Sequence, residues 1–377
     1  MVISNDGFFS FSENYEIIID YTIKEKMFSL QSKTEIVTQN ITTKQGTEGV
    51  RNKYTLGKVP KKSKKVCRFC NRNSDEVSFK DETHAIPHLL GNNILFSDYE
   101  CFDCNHKFGE ELENDLGKFL GDINRILGNL KGKSGVPKYK SKDKKSIIQR
   151  DGNVLITVAN IVDSPDEKEK YYFDNNVMEL FGEKQSYKPI AVYKCLVKIF
   201  LTLLPQEEMF FKNNNFFKST IEWINEEHRD YDMVLPLFYR NDFNLIGEPL
   251  RAIILKRKSE ESLLPYMLFV LSFNNTFIQI MIPENEGNTN LVGKTANFPL
   301  YPLYSDKIIG MKAEYYDFSS SQMIREEKHG STIINKGEVI DINKNDIPIE
   351  LTNQLKKIID MSEKEKLAFI KSFIKLT

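Results

Sequence analysis

Two pairs of cysteines and three histidines lie close together in one short part of the sequence. The stretch CRFCNRNSDEVSFKDETHAIPHLLGNNILFSDYECFDCNHKFG, residues 67–109, holds four of the chain's five cysteines and three of its five histidines. Thiolates and imidazoles bind metal ions, and imidazoles also transfer protons near neutral pH. A chain that uses both residue types sparingly therefore concentrates its capacity for chemistry in this window.

The four cysteines form two Cys-x-x-Cys pairs, Cys67 with Cys70 and Cys101 with Cys104, and thirty residues separate the pairs. Each pair can place two thiolates about 2.3 Å from one zinc ion, so together they supply the four ligands of a tetrahedral structural site. A redox site needs only one Cys-x-x-Cys at a helix start, and disulfides are rare in a reducing cytoplasm. The spacing therefore predicts one structural zinc ion.

The residues between and after the cysteine pairs predict a β-hairpin followed by a helix. The stretch ETHAIPHLLGNNILF reads as two extended segments around a polar Gly-Asn-Asn turn. From Phe108 to Leu130 apolar residues recur at three- and four-residue spacing, which predicts one amphipathic helix. The four cysteines fill all four positions around a zinc ion, so His84, Asn105 and His106 are not needed as its ligands. By joining the hairpin to the helix start, the ion would instead bring these three residues close together.

This window resembles the HNH endonuclease family, the ββα-metal fold, in its zinc-binding version. The matching elements are the first cysteine pair, HAIPHLLGN at 84–92 and CFDCN at 101–105, within a similarity that covers residues 64–130. The resemblance implies a metal-dependent endonuclease that hydrolyses phosphodiester bonds. Similar HNH modules occur in bacterial proteins of about this length, and some relatives act in defence against foreign DNA.

The resemblance also implies roles for individual residues. It assigns His84 as the general base that deprotonates water, and it assigns Asn105, with His106 as substitute or helper, as ligands of a catalytic Mg²⁺ or Mn²⁺ ion. A mid-motif asparagine orients the base in the family. The candidates here are Asn92 and Asn93, and we assign Asn93.

One position departs from the family pattern. The residue before the base is commonly Asp, Glu or His in the family, whereas this chain has Thr83, a poor ligand for Mg²⁺. Glu82 would point to the opposite face of a strand from Thr83. Glu111, Glu113 and Asp115 could supply a carboxylate, although acidic residues early in a helix more often complement its dipole. The residue that replaces the usual carboxylate therefore stays open.

Basic residues crowd both sides of the window, although the net charge of the chain is -1. Residues 57–72 carry seven basic side chains and no acidic one, and ten more basic side chains lie between Lys118 and Arg150. This pattern is expected of a protein that binds a phosphate backbone, and the alternative is a solvated linker. With DNA as the partner and RNA not excluded, we predict nucleic-acid contacts at Lys138, Lys140, Lys144 and Lys145.

The rest of the chain predicts a larger α+β region. A buried helix at 189–204 and an amphipathic helix at 216–228 precede four strands, the last two joined by a two-residue turn at 274–275. The fold class is therefore α+β, with a small zinc-binding ββα domain beside a larger domain built on an antiparallel sheet. We expect an N-terminal β-rich segment at 1–45, a linker at 46–63, the zinc-binding domain at 64–135 and a recognition or sensor domain at 136–377.

Several broader expectations follow from composition. No run approaches ~18 uninterrupted apolar residues and no signal peptide is evident, so we expect a cytoplasmic protein without a membrane span. Cutting both strands of DNA would require a homodimer or repeated nicking, and the C-terminal domain could bind a partner protein or signal ligand. Residues 361–377 predict an amphipathic helix. Two other functions stay open, a catalytically weak nucleic-acid-binding protein and a zinc-stabilised protein-interaction module.

Overall fold

The structure is a computed structural model that describes the chain in segments between residues 2 and 334. The described residues are 2–4, 11–24, 27–32, 41–44, 53–57, 63–80, 82–132, 135–140, 147–151, 154–158, 169–172, 177–182, 184–205, 216–241, 248–259, 263–274, 276–283, 286–291, 295–301, 315–324 and 329–334. The chain divides into two compact units. The first unit comprises Met1–Lys170 and Met178–Ile333, and the second comprises Tyr171–Val177 and Ile334–Thr377. All contacts discussed below lie within the first unit. The predicted helix at 361–377 lies outside the described residues.

The described strands and helices alternate irregularly along the chain. The strands are β1 (Val2–Ser4), β2 (Tyr15–Lys24), β3 (Met27–Ser32), β4 (Ile41–Lys44), β5 (Lys53–Leu56), β6 (Thr83–His84), β7 (Leu95–Ser97), β8 (Tyr139–Lys140), β9 (Ile147–Asp151), β10 (Val154–Val158), β11 (Glu169–Tyr172), β12 (Val177–Gly182), β13 (Pro236–Asn241), β14 (Glu248–Arg257), β15 (Met267–Asn274), β16 (Thr276–Met281), β17 (Thr295–Asn297), β18 (Tyr315–Asp317) and β19 (His329–Ile334). The helices are α1 (Phe11–Asn14), α2 (Phe102–Phe108), α3 (Asn114–Leu120), α4 (Asp122–Leu127), α5 (Pro189–Leu203) and α6 (Lys218–Asn225), with a π-helical turn at Gly109–Glu113 between α2 and α3.

A seven-stranded antiparallel sheet is the largest element of the first unit. Its strand order is β18-β13-β16-β15-β14-β2-β3. Asn274, where β15 turns into β16, has a φ of 51°, the left-handed value that a type I′ turn needs. The N-terminal strand β2 joins the sheet beside β14, where Arg251 Nε donates to Asp20 Oδ1 at 2.8 Å. The predicted α+β class with an antiparallel sheet is confirmed.

Helix α5 is buried along its whole length. All its side chains from Pro189 to Leu203 are buried, as the uniformly apolar sequence predicts. The buried set includes Lys194 and Lys198, and a lysine removed from water needs a polar partner. Among the described helices, none has the length and apolar character required to cross a membrane.

The cysteine segment, defined here as residues 63–132, contributes β6 and β7 to a small four-stranded sheet with the order β4-β5-β7-β6. Strands β6 and β7 form the predicted hairpin, in which His84 pairs with Phe96. Strand β5 comes from residues predicted as a linker, and it pairs in parallel with β7. The hairpin therefore gains a third strand from outside the cysteine window.

The prediction of one unbroken helix from Phe108 to Leu130 was wrong, because the chain turns at Gly121. Gly121 has a φ of 73° and separates α3 from α4. A Cβ atom there would lie 3.3 Å from Lys184 Cγ, so glycine permits both the turn and the close approach. The apolar periodicity continues across the turn because both helices bury an apolar face, which is why the sequence pattern hides the break.

The cysteine segment shares one hydrophobic core with α5. Arg68, between the first two cysteines, donates to carbonyls at the end of α5, with 2.8 Å to Leu204 O, and its guanidinium lies 3.7 Å from the ring centroid of Tyr99. From α6, Asn225 Nδ2 donates to Phe69 O at 3.0 Å. The turn that holds the first cysteine pair is therefore fixed to both helices of the larger region.

A buried cluster of three charges also joins the cysteine segment to α5. Lys198 Nζ lies 2.9 Å from Glu100 Oε2 and 3.6 Å from Glu113 Oε1, and the Lys198 and Glu100 side chains are fully buried. Burial by itself would lower the pKa of Lys198, but the two carboxylates together raise it. Burial raises the pKa of Glu100 to about 7. Lys198 thus stays charged only because it faces two carboxylates.

Replacing Lys198 with Met should lower the free energy of unfolding by about 3–5 kcal/mol, because Glu100 would then be buried without a cation. Adding Glu100→Gln should recover most of this loss. The pKa of Glu100 is raised in the folded state, so the folded protein favours the protonated carboxyl. This stabilisation is present at low pH, where Glu100 is protonated, and disappears as the pH rises through the folded pKa. The Lys198→Met defect should therefore be smaller near pH ~5 than near pH ~8.

Urea unfolding of the full chain at both pH values measures this prediction. Lys218→Met is the control, because Lys218 is an exposed lysine paired with Glu222 on α6. An equal loss of unfolding free energy at both pH values, or no rescue by Glu100→Gln, would show that the charge cluster does not hold the cysteine segment to α5.

Candidate active site and metal centre

The first cysteine pair lies in a tight turn whose backbone closes on itself. Cys67 N donates to Arg72 O at 2.8 Å, and Asn71 N donates to Cys67 O at 2.9 Å. Asn71 has a φ of 58°, a left-handed conformation that asparagine tolerates better than most residues. This geometry places the sulfur atoms of Cys67 and Cys70 within 4.8 Å of each other.

The second cysteine pair lies at the start of α2. Cys101 is the residue that caps the helix, and Cys104 lies in its first turn. Cys101 N donates to Cys67 Sγ at 3.4 Å, so one backbone amide already links the two pairs. The helix start thereby presents its two sulfur atoms to the turn that carries the first pair.

The four sulfur atoms lie within 4.8 Å of one another. The Sγ atoms of Cys67 and Cys104 are 3.8 Å apart, as are those of Cys70 and Cys101. In a tetrahedral site with Zn–S distances of about 2.3 Å, neighbouring sulfur atoms are about 3.8 Å apart. The cluster therefore has the dimensions of a four-thiolate zinc site, as the spacing predicts.

The four thiols change one another's ionisation. The hydrogen bond with Cys104 lowers the pKa of Cys67 to about 4, and the same contact raises the pKa of Cys104. Burial raises the pKa of Cys101 to about 11. Thiolates at this distance repel each other, so all four can lose their protons only when a cation binds between them. An all-sulfur tetrahedral set suits zinc.

His84 lies on β6, next to buried Thr83. Its imidazole is half-buried and lies 4.8 Å from the Phe96 ring and 5.2 Å from the His88 ring, measured between centroids. Strand pairing to Phe96 and the two ring contacts hold the imidazole on one face of the hairpin. The imidazole is thus partly accessible to solvent.

The two candidate asparagines have different environments. Asn92 is fully buried, and its Nδ2 donates to Ile86 O and Leu95 O, both at 2.7 Å. Its Oδ1 also accepts from Leu95 N at 2.9 Å, so Asn92 fixes the turn of the hairpin. Asn93 is half-buried, and its Oδ1 is buried without a hydrogen bond from any described residue. This oxygen therefore has no hydrogen-bond partner among the described residues, and the assigned role of Asn93 stays a prediction.

Asn105 and His106 follow the second cysteine pair on α2, as predicted from the sequence. Asn105 is half-buried, whereas His106 is exposed with Nδ1 3.6 Å from Glu110 Oε2. Among the described residues, the four cysteines are the only set of three or more His, Cys, Asp or Glu side chains that converges on one ion position. A catalytic metal bound by Asn105 and His106 stays a prediction.

Two of the three helix acids considered as replacements for the missing carboxylate form ion pairs, whereas Glu111 is exposed and its role stays a prediction. Glu113 faces Lys198, and Asp115 Oδ1 lies 3.1 Å from Lys118 Nζ. Both carboxylates are thus used in ion pairs. Glu110, beside His106, is a carboxylate on the exposed side of the helix that the sequence analysis did not select.

The predicted nucleic-acid contacts are only partly described. Lys138, just before β8, and Lys140, on β8, are exposed. Lys144 and Lys145 lie outside the described residues. Binding at these four lysines stays a prediction.

Two groups near the site were missed by the sequence analysis. The first is the Lys198 cluster, although a lysine inside an apolar helix already signals a buried acidic partner. The second is Lys53 on β5, whose Nζ lies 2.5 Å from Glu82 Oε1 and 5.3 Å from the centroid of the Phe96 ring. No local pattern in the sequence connects Lys53 to the hairpin, because the pairing of β5 with β7 joins distant residues.

Replacing Cys67 or Cys104 with serine should release the bound zinc and unfold the cysteine segment. The reason is that a zinc-binding free energy on the order of 10 kcal/mol is folding free energy for so small a structure. Metal analysis by mass spectrometry, together with thermal unfolding with and without a chelator, measures the effect. Cys195→Ser is the matched control, because Cys195 is buried on α5 outside the cluster. A folded Cys67→Ser protein that retains one zinc ion per chain would refute the assignment.

Comparison with known proteins agrees with this geometry. Residues 67–120 match the family model described as HNH endonuclease. No curated protein and no solved structure shows significant similarity to this chain. Members of this family are typically nucleases, so a nuclease or nucleic-acid-binding function follows for the matched segment. Residues 67–120 are therefore similar to the HNH endonuclease family, and their four cysteines form a candidate zinc site.

Proposed function

We propose that this protein is a metal-dependent HNH endonuclease that hydrolyses phosphodiester bonds of DNA. The observation that supports this most directly is the position of His84. Its imidazole lies half-buried on the β6–β7 hairpin, which lies in the chain between the two cysteine pairs. The second pair lies at the start of α2, and Asn105 directly follows it. A general base needs a fixed orientation and access to water, and this position provides both.

Each residue of the site has a proposed role. His84 accepts the proton of the attacking water, and Asn93 orients the imidazole through its side-chain oxygen. Asn105 and His106 would hold a divalent cation, Mg²⁺ or Mn²⁺, which supplies positive charge for the transition state and the leaving 3′ oxygen. The four cysteines hold zinc, whose function is to keep hairpin and helix in place.

Recognition of the nucleic acid is assigned to basic side chains outside the hairpin. Phosphate contacts position a nucleic acid without reading its sequence, and lysine is suited to such contacts because its charge is compact and mobile. Exposed Lys138 and Lys140 belong to the basic stretch that follows the matched segment. The larger α+β region would recognise a target, a partner protein or a signal ligand.

A second candidate function is nucleic-acid binding with weak or no hydrolysis. The specific observation in its favour is the position before the base, where Thr83 is buried and carries no carboxylate. The ion pairs of Glu113 and Asp115 also keep these acids from the site. Plasmid cleavage in the presence of Mg²⁺ or Mn²⁺ separates the two functions, and cleavage of matched RNA decides the substrate class.

Replacing His84 with Ala should reduce cleavage by a factor of about 10² or more while zinc content and thermal stability stay unchanged, because His84 is not needed for four-thiolate coordination. Cleavage by the wild type should also fall on acidification, since only a neutral imidazole can accept a proton. Initial rates measured with metal content on the same samples test this. His228→Ala is the control, because His228 lies in the larger region. Loss of zinc or unfolding in His84→Ala would instead make His84 structural.

Neutralising Lys138, Lys140, Lys144 and Lys145 together should weaken DNA binding about equally for all sequences. The slope of log affinity against log salt should become shallower by about 0.9 for each phosphate that the variant no longer neutralises. The cleavage rate of bound DNA should change little, because these residues act in binding. Fluorescence titration across a salt series and single-turnover cleavage measure the two effects. A large fall in the single-turnover rate at unchanged affinity would contradict the assignment.

The same proposal includes action in bacterial defence against foreign DNA and a cytoplasmic location. It also includes a homodimer for cutting both strands and domain boundaries at 64–135 and 136–377. The first of these rests on the resemblance to the HNH family, some of whose members act in such defence. Sizing of the protein with and without DNA would test the homodimer.

A further inference from the structure

Strand β5 lies outside the segment that matches the HNH endonuclease family, yet it forms part of the same sheet. It pairs in parallel with β7, with Tyr54 opposite Leu95 and Thr55 opposite Phe96. Lys53 is the first residue of this strand. The chain therefore adds a basic side chain to the candidate active site from outside the matched segment.

The Lys53 side chain and the imidazole of His84 contact the same aromatic ring. Lys53 Nζ lies 5.3 Å from the centroid of the Phe96 ring, and the His84 ring lies 4.8 Å from it. Glu82, two residues before His84, receives the ammonium, with 2.5 Å to Oε1 and 2.6 Å to Oε2. The Lys53–Glu82 pair thus crosses the face of the hairpin that carries the candidate base.

The exposure of the pair argues against a purely structural role. The side chains are 38% exposed for Lys53 and 63% exposed for Glu82. Ion pairs this open to water add little to stability. An ammonium of this kind remains available to an anion that competes with the carboxylate, and a phosphate in a nucleic-acid backbone is such an anion.

We infer that Lys53 binds a backbone phosphate of the nucleic-acid substrate beside His84, and that Glu82 holds the ammonium in position until the phosphate displaces its carboxylate. This inference rests on the proposed function and adds a substrate-binding residue to it. The aromatic ring of Phe96 supports the lysine on the correct face, because a cation over a ring is attracted to its π electrons. Glu82 restrains the lysine and is no metal ligand.

The inference predicts opposite effects for the two partners of one ion pair. Lys53→Ala should weaken binding of a duplex oligonucleotide by about tenfold, the effect of losing one charge-assisted hydrogen bond, and should lower the salt slope by about 0.9. Glu82→Gln should tighten binding by about threefold, because the carboxylate no longer competes with the phosphate. The double variant should bind as weakly as Lys53→Ala, since Glu82 acts only through Lys53.

The chain provides a control ion pair outside the cysteine segment and its basic flanks. Lys218 Nζ lies 3.8 Å from Glu222 Oε1 on α6, and both side chains are exposed, so the pair is open to water but lies outside the segment that matches the HNH family. Lys218→Ala and Glu222→Gln should change affinity by less than about twofold, the general effect of one screened surface charge. Thermal unfolding of every variant shows that it is folded before its affinity is compared.

Affinity is measured on the full-length zinc-loaded protein without Mg²⁺ or Mn²⁺, and cleavage is then started by adding either ion. Weaker binding in both Lys53→Ala and Glu82→Gln would make the pair a structural link and overturn the inference. Loss of cleavage in Glu82→Gln without tighter binding would make Glu82 a metal ligand and also overturn it. A wild type that binds but does not cleave would refute the nuclease proposal alone, because the opposite changes in affinity would still support Lys53 as a phosphate-binding residue.

Discussion

Four sulfur atoms within 4.8 Å of one another impose the main constraint on the cysteine segment. Their negative charges can coexist only around a cation, and their geometry fits the tetrahedral coordination of zinc. The hairpin that this cluster holds has strands of two and three residues, too short to be stable alone. The orientation of His84 at the end of one strand therefore depends on the support of this cluster as well as on the pairing with Phe96.

The cysteine cluster is only half of the support, because the cysteine segment is also built into the core of the larger region. Glu100 immediately precedes Cys101, so one candidate zinc ligand is the chain neighbour of a carboxylate that pairs with Lys198 at 2.9 Å. Arg68, in the other cysteine turn, donates to carbonyls at the end of the same helix, α5. A displacement of α5 would thus act on both halves of the zinc site. This arrangement gives the larger region a physical route to influence the candidate active site.

The same packing explains the unusual set of groups around His84. The helix after the second cysteine pair directs Glu113 toward Lys198, so this acid stabilises the interface and cannot serve the hairpin. The exposed face instead carries Lys53 and Glu82, contributed by β5 and by the residues just before β6. Lys53 places a cation on this face where an extra carboxylate is missing, and this cation favours binding of a phosphate backbone next to the candidate base His84.

By itself the sequence determined the parts whose signals are local: the two cysteine pairs with their candidate zinc site, the hairpin, the buried helix α5 and four of the seven strands of the antiparallel sheet. These depend on spacing and periodicity over a few residues, which a linear pattern records. Only the tertiary structure decided that Lys198 meets Glu100, that Lys53 meets Glu82 and that the long apolar pattern turns at Gly121. Pairing between distant residues leaves no periodic pattern in the chain, because it arises only when separate elements pack and exclude water from the charges between them.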